Sequence, residues 1–331
     1  MSRRERRLHR KKMLKKQYSS IVSNEEKKSE ANRIVTESRR SKRNFIRAIY
    51  EDHYKKLMVI PLLMFLVSFL VIGLQLSTSG NIMDFGVSIT GGISVTVPDV
   101  SDFAPADAEV QLLELMEGSD VSVRRLVSPD SIGVTVEASG VDNDLLLSSL
   151  RVVFGDFQDY SLEETGSTLG DAFFRQSLFA LVFAFLLMGV VVFLSFKSFV
   201  PSMAVILSAF FDIIVTVAVV NMLGIRVSAA GLAGFLMLIG YSVDTDVLMS
   251  SKLLRGKKNS ILENLYDAMG TGMMMAFTTI AVLIVGIIFS NSDVLSQIMT
   301  IVLIGLLIDL VSTWIQNAGM MRYYLERKMA K

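Results

Sequence analysis

The sequence predicts a multi-pass membrane protein: an all-α bundle of six transmembrane helices carrying one small α+β domain outside the cytoplasm. Three observations carry that prediction. Two runs of about twenty residues, 57–76 and 176–196, contain no charged residue, and roughly 20 apolar residues of helix cross the hydrocarbon core. Four further segments, 200–222, 227–252, 269–290 and 294–319, are nearly as apolar. Charge is also sharply segregated. Residues 1–56 hold 19 Lys/Arg and 7 Asp/Glu, a balance of +12, while residues 77–172 hold 3 and 17, a balance of −14, in a chain of net charge +1. A membrane between the two segments accounts for that asymmetry.

The spans divide the chain into a basic cytoplasmic tail (1–56), a first span (57–76), an extracytoplasmic domain (77–172), a five-helix membrane bundle (173–320, its first span at about 174–196) and a short cytoplasmic tail (321–331). Loop charges orient it. One set of loops and ends carries Lys197, then Lys252, Arg255, Lys257 and Lys258, then Arg322, Arg327, Lys328 and Lys331; the opposite loops carry one cation in 221–226 and none in 290–293. The positive-inside rule then puts both termini in the cytoplasm of a cell-membrane protein. The basic tail reads as a topology determinant lying on anionic lipid; the alternative is contact with ribosomal RNA or a partner. A cleaved signal peptide is not expected, because the first apolar run exceeds the roughly 7–15 residues of a signal core. Ser77 and Ser79 after it are only a weak cleavage look-alike.

The insert reads as a self-contained fold. Segment 88–97 alternates, with Ile89, Ile93, Val95 and Val97 on one face, which predicts a strand. Pro105 opens a helix whose Leu112, Leu115 and Met116 share a side. Val121 and Val123 begin a second strand, Ser128-Pro129-Asp130 is a turn, and Ile132, Val134 and Val136 mark a third strand. Asp142 or Asn143 can cap a second helix bearing Leu146, Leu147, Leu150 and Phe154 and ended by Gly155. Residues 157–162 make a last strand. The order βαββαβ predicts a ferredoxin-like domain.

Composition excludes much chemistry. With no cysteine there are no disulfides, thiolate nucleophiles or cysteine-based metal sites, and the only histidines, His9 and His53, lie in the basic tail. No GxxxxGK[ST] phosphate loop is present. No enzyme activity, cofactor or metal is expected. The informative residues are four carboxylates inside predicted spans: Asp212, Asp244, Asp246 and Asp309. Each costs on the order of 2.5–3.5 kcal/mol at bilayer depth, so such groups face a polar interior or carry protons. They are the candidates for proton or ion coupling, against a structural role for each. Asp244 and Asp246 are two apart, about 200° around a helix, and cannot both face one site. Asp246 is nearer the cytoplasmic end, where exposure to water is the competing reading, so Asp244 is the first choice.

Small residues crowd the fourth span: Ala229, Ala230, Gly231, Ala233, Gly234 and Gly240. The Ala230–Gly234 pair permits a close helix contact and marks a central helix. Thr278 and Thr279 of the fifth span are placed to hydrogen-bond between helices. The 19 methionines are read as lipid-facing or gap-filling.

The segment Gly240-Tyr241-Ser242-Val243-Asp244-Thr245-Asp246-Val247-Leu248 resembles the signature of the SecF family in its archaeal form. Asp84-Phe85-Gly86-Val87-Ser88-Ile89-Thr90-Gly91-Gly92 is similar to the family's DFTGG motif, with extra residues before the glycine pair. Thr165-Gly166-Ser167-Thr168-Leu169-Gly170 is similar to its VGPxxG element, without the proline. The resemblance implies an accessory subunit of the Sec protein-export translocase within the resistance-nodulation-division superfamily. It implies a SecD-like subunit, the translocon channel, the translocating preprotein and the lipid bilayer as partners, with no nucleic acid, and proton flow through the bundle as the drive. Bacterial relatives carry an arginine at the start of the fifth span. Here Thr271 and Gly272 stand there, and no arginine occurs between Arg255 and Arg322, so a partner would have to supply that charge. The alternative function is one half of a small-molecule or lipid exporter of the same superfamily, and a third reading is a scaffold whose carboxylates only pack.

Overall fold

The computed structural model describes Tyr50 and residues 53–101, 103–116, 119–127, 132–256, 260–290 and 292–329. The predicted basic tail up to residue 49, the Ser128-Pro129-Asp130 turn, and Lys257, Lys258 and Lys331 lie outside them. Tyr54–Leu57 is a single helical turn; everything from Met58 onward forms the body described below.

Six helical stretches are long and apolar enough to cross a membrane. They are α1 (Val59–Ser79), α5 (Ser167–Phe196), α6 (Phe199–Met222), α7 (Ala229–Arg255), α8 (Ile261–Phe289) and a last stretch made of α9 (Asp293–Val311), a π-helical segment (Ser312–Asn317) and α10 (Ala318–Met329). Between α1 and α5 lie α2 (Val87–Thr90), β1 (Gly92–Val97), α3 (Pro105–Leu115), β2 (Asp120–Val127), β3 (Ile132–Ser139), α4 (Asn143–Phe154) and β4 (Ser161–Thr165). α1 stops where Gly80 turns left-handed (φ 73°) and its N–H bonds back to the Leu76 carbonyl. The 30 residues of α5 reach about 45 Å, more than the roughly 30 Å hydrocarbon core. It begins some seven residues before the apolar run does, and α8 likewise starts eight residues early.

Burial sorts the helices. α6 and α7 are the most enclosed and α1 and α5 the least. Leu70, Phe179, Val191 and Leu194 stand exposed on the outer pair, as hydrocarbon-facing residues do. α7 packs on α5, α6, α8 and α9, which makes it the central helix. Its close contact with α9 runs through Gly231 and Gly234, not through the expected Ala230–Gly234 pair. A Cβ on Gly231 would stand 3.0 Å from Ile301 Cδ1, and one on Gly234 3.4 Å from the Ile298 carbonyl. From the other side, a Cβ on Gly305 would lie 2.4 Å from the Leu238 methyls.

The domain between α1 and α5 is a four-stranded antiparallel sheet in the order β2-β3-β1-β4, with Val95 opposite both Val136 and Leu162. α3 and α4 cover one face, closing a core of Val95, Val97, Leu112, Met116, Val134, Val136, Leu146 and Leu150. Three local expectations change. Leu115 is exposed (44%) at the edge of the α3 stripe, and the last strand starts at Ser161 rather than at residue 157. The first strand does not begin at residue 88 either. Val87–Thr90 is a helical turn, and the strand starts only at Gly92 (φ 143°), after Gly91 (φ 86°). Alternation therefore misplaced Ile89, which packs with Val220, Val227 and Phe235 of the bundle. Only glycine suits Gly92, where a Cβ would also meet the Ala138 carbonyl at 2.5 Å.

The sheet's other face meets the membrane bundle. Glu137 of β3 is buried, pairs with Arg124 and accepts from the Val87 N–H at 3.4 Å. Phe85 and Val227 form a parallel bridge, with Gly86 N–H to the Val227 carbonyl (3.0 Å) and Val227 N–H to the Asp84 carbonyl (2.8 Å). Arg226, the single cation of the 221–226 loop, grips Asp120 of β2 with two bonds of 2.9 and 3.0 Å. Burial alone would lower the Arg226 pKa; the Asp120 hydrogen bonds and charge outweigh it, and the net shift is upward.

Gly170 of α5 lies against the α2 turn, so the two glycine-bearing motifs around the domain pack on each other. A Cβ there would fall 2.2 Å from the Ile89 carbonyl oxygen, whereas nothing lies within 4 Å of one on Gly166. Gly170→Ala is therefore expected to destabilise the detergent-solubilised protein by about 1–3 kcal/mol, read as a lower thermal midpoint. Gly166→Ala should leave the midpoint where it was.

Candidate functional site: a carboxylate cluster inside the bundle

Three helices each carry polar residues four apart on their inward faces. They are Ser208, Asp212 and Thr216 on α6, Ser242, Asp246 and Ser250 on α7, and Asp309, Thr313 and Asn317 on α9 and the π segment. Four-residue spacing keeps such residues on one side of a helix. All nine are fully buried.

The bonds among them are specific. Asp212 accepts from Ser242 Oγ (2.6 Å, to Oδ2) and Ser312 Oγ (2.5 Å, to Oδ1). Asp246 Oδ1 accepts from Asn317 Nδ2 at 2.7 Å and lies 2.8 Å from Thr313 Oγ1. Thr313 Oγ1 is also 3.0 Å from Asp309 Oδ1. A threonine hydroxyl has one proton to donate, so it serves one carboxylate at a time. Asp246 Oδ2, Asp309 Oδ2, Asn317 Oδ1 and Ser208 Oγ are buried without a hydrogen-bond partner. Among the described residues no lysine or arginine pairs with any of the three carboxylates, and no set of three or more His, Cys, Asp or Glu is placed to hold a metal ion.

Three of the four predicted carboxylates thus come together, and Asp244 does not. It is exposed on the opposite side of α7, on a stripe with Ala233, Met237 and Gly240. The competing expectation of water exposure for Asp246 fails: its side chain turns toward α6 and the π segment and is fully enclosed. Around it, Tyr241 packs on Leu283 and Val302, and Thr245 bonds the Tyr241 carbonyl at 3.3 Å. Asp84 accepts from Gln75 at 2.8 Å, and Phe85 meets Phe174 edge-on. Thr278 and Thr279 do not bridge helices; both bond the carbonyls of their own helix at Met274 and Met275. Thr271 of α8, which stands with Gly272 where an arginine was looked for, accepts from Lys252 of α7 at 2.8 Å. The residues missed from sequence were Ser208, Ser312, Thr313 and Asn317; a four-residue register with the aspartates was the signal available for all but Ser312.

A model of the family described as protein export membrane protein SecD/SecF, C-terminal, matches residues 146–327. SecF of Pyrococcus furiosus is 34% identical over 287 residues, covering 86% of this chain and 96% of that protein. SecF of Methanocaldococcus jannaschii is 33% identical over 289 residues, covering 84% and 98%. This chain belongs to the SecD/SecF family of protein-export membrane proteins. The SecDF crystal structure from Thermus thermophilus superposes with a TM-score of 0.65 at 14% identity over 83% of this chain. SecDF in its super-membrane-facing form gives 0.51 at 18% over 82%. At those identities the likeness is one of fold, and this chain spans 38% of either SecDF chain. Within this SecF-family chain the GYSVDTD segment therefore does two things: Ser242 and Asp246 enter the cluster, while Gly240 and Asp244 line the outer stripe.

Thr313→Val keeps the shape of the shared donor and removes its hydroxyl. A buried acceptor loses its donor, so a loss of about 1–3 kcal/mol is expected in thermal unfolding of the purified protein. Thr278→Val, on the exposed face of α8, should change little.

Proposed function

We propose that this chain is the SecF-type accessory subunit of a Sec protein translocase. It assists export across the cell membrane with a SecD-like subunit, the translocon channel and the emerging preprotein as partners, and performs no catalysis of its own. The single observation that carries a coupling role is the enclosed set Asp212, Asp246 and Asp309, which lacks a pairing cation among the described residues. Buried carboxylates without counter-charge take up protons or a cation, which is the property an ion-driven subunit needs. Asp244 has a different part in this reading. A carboxylate on a membrane-exposed helix face beside Gly240 and Ala233 suits close approach of a partner helix that brings a donor or a cation.

The external domain is read as ferredoxin-like, supported by the strand order and by α3 and α4 covering one face. Charge asymmetry supports cytoplasmic termini. The exporter-half alternative draws on the superfamily alone and has no feature of this chain that favours it.

Asp246→Asn should copurify normally with the SecD-like chain yet lose stimulation of preprotein export in vesicles, whereas Asp244→Asn should weaken the copurification itself. Full export by the Asp246 variant would end the coupling role, and unchanged copurification by the Asp244 variant would end the interface role. Cysteine placed at Val152, exposed on α4, should react with an impermeant maleimide in intact cells of the Cys-free background, and cysteine at Lys328 should be protected. The opposite pattern would invert the topology.

A further inference from the structure

Cations of three helix ends gather at the end of the bundle away from the four-stranded domain. α7 starts beside Val227 at that domain and ends about 40 Å on at Arg255. α5, whose Gly170 lies against α2, ends at the same level at Lys197. Arg255 donates to the Ser195 carbonyl of α5 at 3.4 Å, which brings the guanidinium to the α5–α6 turn. Directly after Lys197, the Ser198 hydroxyl lies 3.4 Å from that of Tyr324, and Lys328 Nζ stands 5.9 Å from the Tyr324 ring centre. α10, which carries Tyr324 and Lys328, packs on α6 and α7. Among the described residues no carboxylate pairs with Lys197, Arg255 or Lys328, whereas Lys252 and Arg322 at the same end are paired with Asp267 and Glu326.

We infer that Lys197, Arg255 and Lys328, with the hydroxyls of Ser198 and Tyr324, bind the phosphate of an anionic membrane lipid whose chains lie along α5. The chemistry of the donors selects a phosphate. Ammonium and guanidinium groups only donate, both hydroxyls can donate, and a phosphate offers several charged acceptors to such a set. Without an anion the three like charges repel one another; a phosphate reverses that. A zwitterionic headgroup brings a further cation to the site, so a headgroup of net negative charge is favoured. Position selects a lipid over a free ion. The uncharged run 176–196 ends one residue before Lys197, which puts the cations at the level where hydrocarbon gives way to headgroups. One and two turns back along α5, Leu194 and Val191 are exposed, and Phe199 is exposed at the start of α6. That apolar wall takes up acyl or isoprenoid chains and gives nothing to inorganic phosphate. The site is separate from the carboxylate cluster and does not depend on its role.

The experiment is equilibrium binding of ³²P-labelled phosphatidylglycerol to the full-length chain in maltoside micelles. Saturable binding is expected, displaced by unlabelled phosphatidylglycerol but not by phosphatidylcholine of the same chains. Arg255→Gln, Lys197→Gln and Lys328→Gln should each weaken it about fivefold, the scale of one basic side chain at an anionic lipid. Tyr324→Phe, which leaves the charge unchanged, should weaken it about threefold. Lys252→Gln, at the same end of α7 but paired with Asp267, should bind as the parent does. Lys328 is exposed on the last turn of α10, so its variant keeps the test decisive if Arg255→Gln does not fold. Equal displacement by phosphatidylcholine, or a loss in Lys252→Gln as large as that in Lys328→Gln, overturns the site and leaves only a diffuse basic surface. Displacement by excess inorganic phosphate overturns the lipid and leaves a site for the free ion.

Discussion

An aspartate inside a bilayer has to be answered by its own protein, because the hydrocarbon offers it nothing. Here that requirement organises the bundle. Asp212, Asp246 and Asp309 draw donors from Ser242, Ser312, Thr313 and Asn317, and these bonds tie α6, α7 and the π segment to one another. Such bonds form only if the helices approach closely, and Gly231, Gly234 and Gly305 supply the approach along the α7–α9 seam. Removing the carboxylates altogether in favour of apolar residues would relieve the desolvation cost.

The same helix that carries Asp246 is fastened at its other end to the four-stranded domain. From Ala229 to Asp246, α7 spans about 26 Å of continuous helix. Immediately ahead of it Val227 exchanges backbone hydrogen bonds with the 84–86 segment, Ala229 N–H bonds Ser88 Oγ at 3.0 Å, and Arg226 grips Asp120. Gln297 at the start of α9 adds a bond from its amide to the Arg226 carbonyl at 2.6 Å and takes the Ser228 hydroxyl and N–H. A helix is stiff along its axis, so the cluster around Asp246 is joined to β2 and α2 by a short, hydrogen-bonded route. A packed interface of this kind shifts between discrete arrangements more readily than it deforms.

Much of this was legible in the sequence, and the failures have identifiable causes. Apolar runs of span length revealed all six helices, because no soluble fold needs them. Alternation located β3, whose Val134 and Val136 are wholly buried. It failed at residues 88–91, where a two-residue period coexists with a helical turn: the Gly91–Gly92 pair permits dihedrals that side-chain pattern cannot report, and Ile89 answers to the bundle rather than to the sheet. The four intramembrane aspartates were visible as costly residues, and their 200° separation correctly forbade a shared site for Asp244 and Asp246. Which of the two turns inward depends on α6 and α9, residues distant in sequence, so one helix read alone could not decide it. Ser312, Thr313 and Asn317 stayed hidden for a similar reason, since hydroxyls and amides in an apolar helix more often bond their own backbone, as Thr278 and Thr279 do.

The π segment explains how one short stretch can serve three helices. In an α-helix consecutive residues point about 100° apart; the wider π turn narrows that angle, and such turns tend to occur at functional sites. Ser312 reaches Asp212 of α6, Thr313 reaches Asp246 of α7, and Trp314 lies against α8, where a Cβ on Gly272 would stand 2.4 Å from its ring. Asn317 then returns to Asp246. Bonds to α6 and α7 and a close approach to α8 thus leave from six consecutive residues of this one segment.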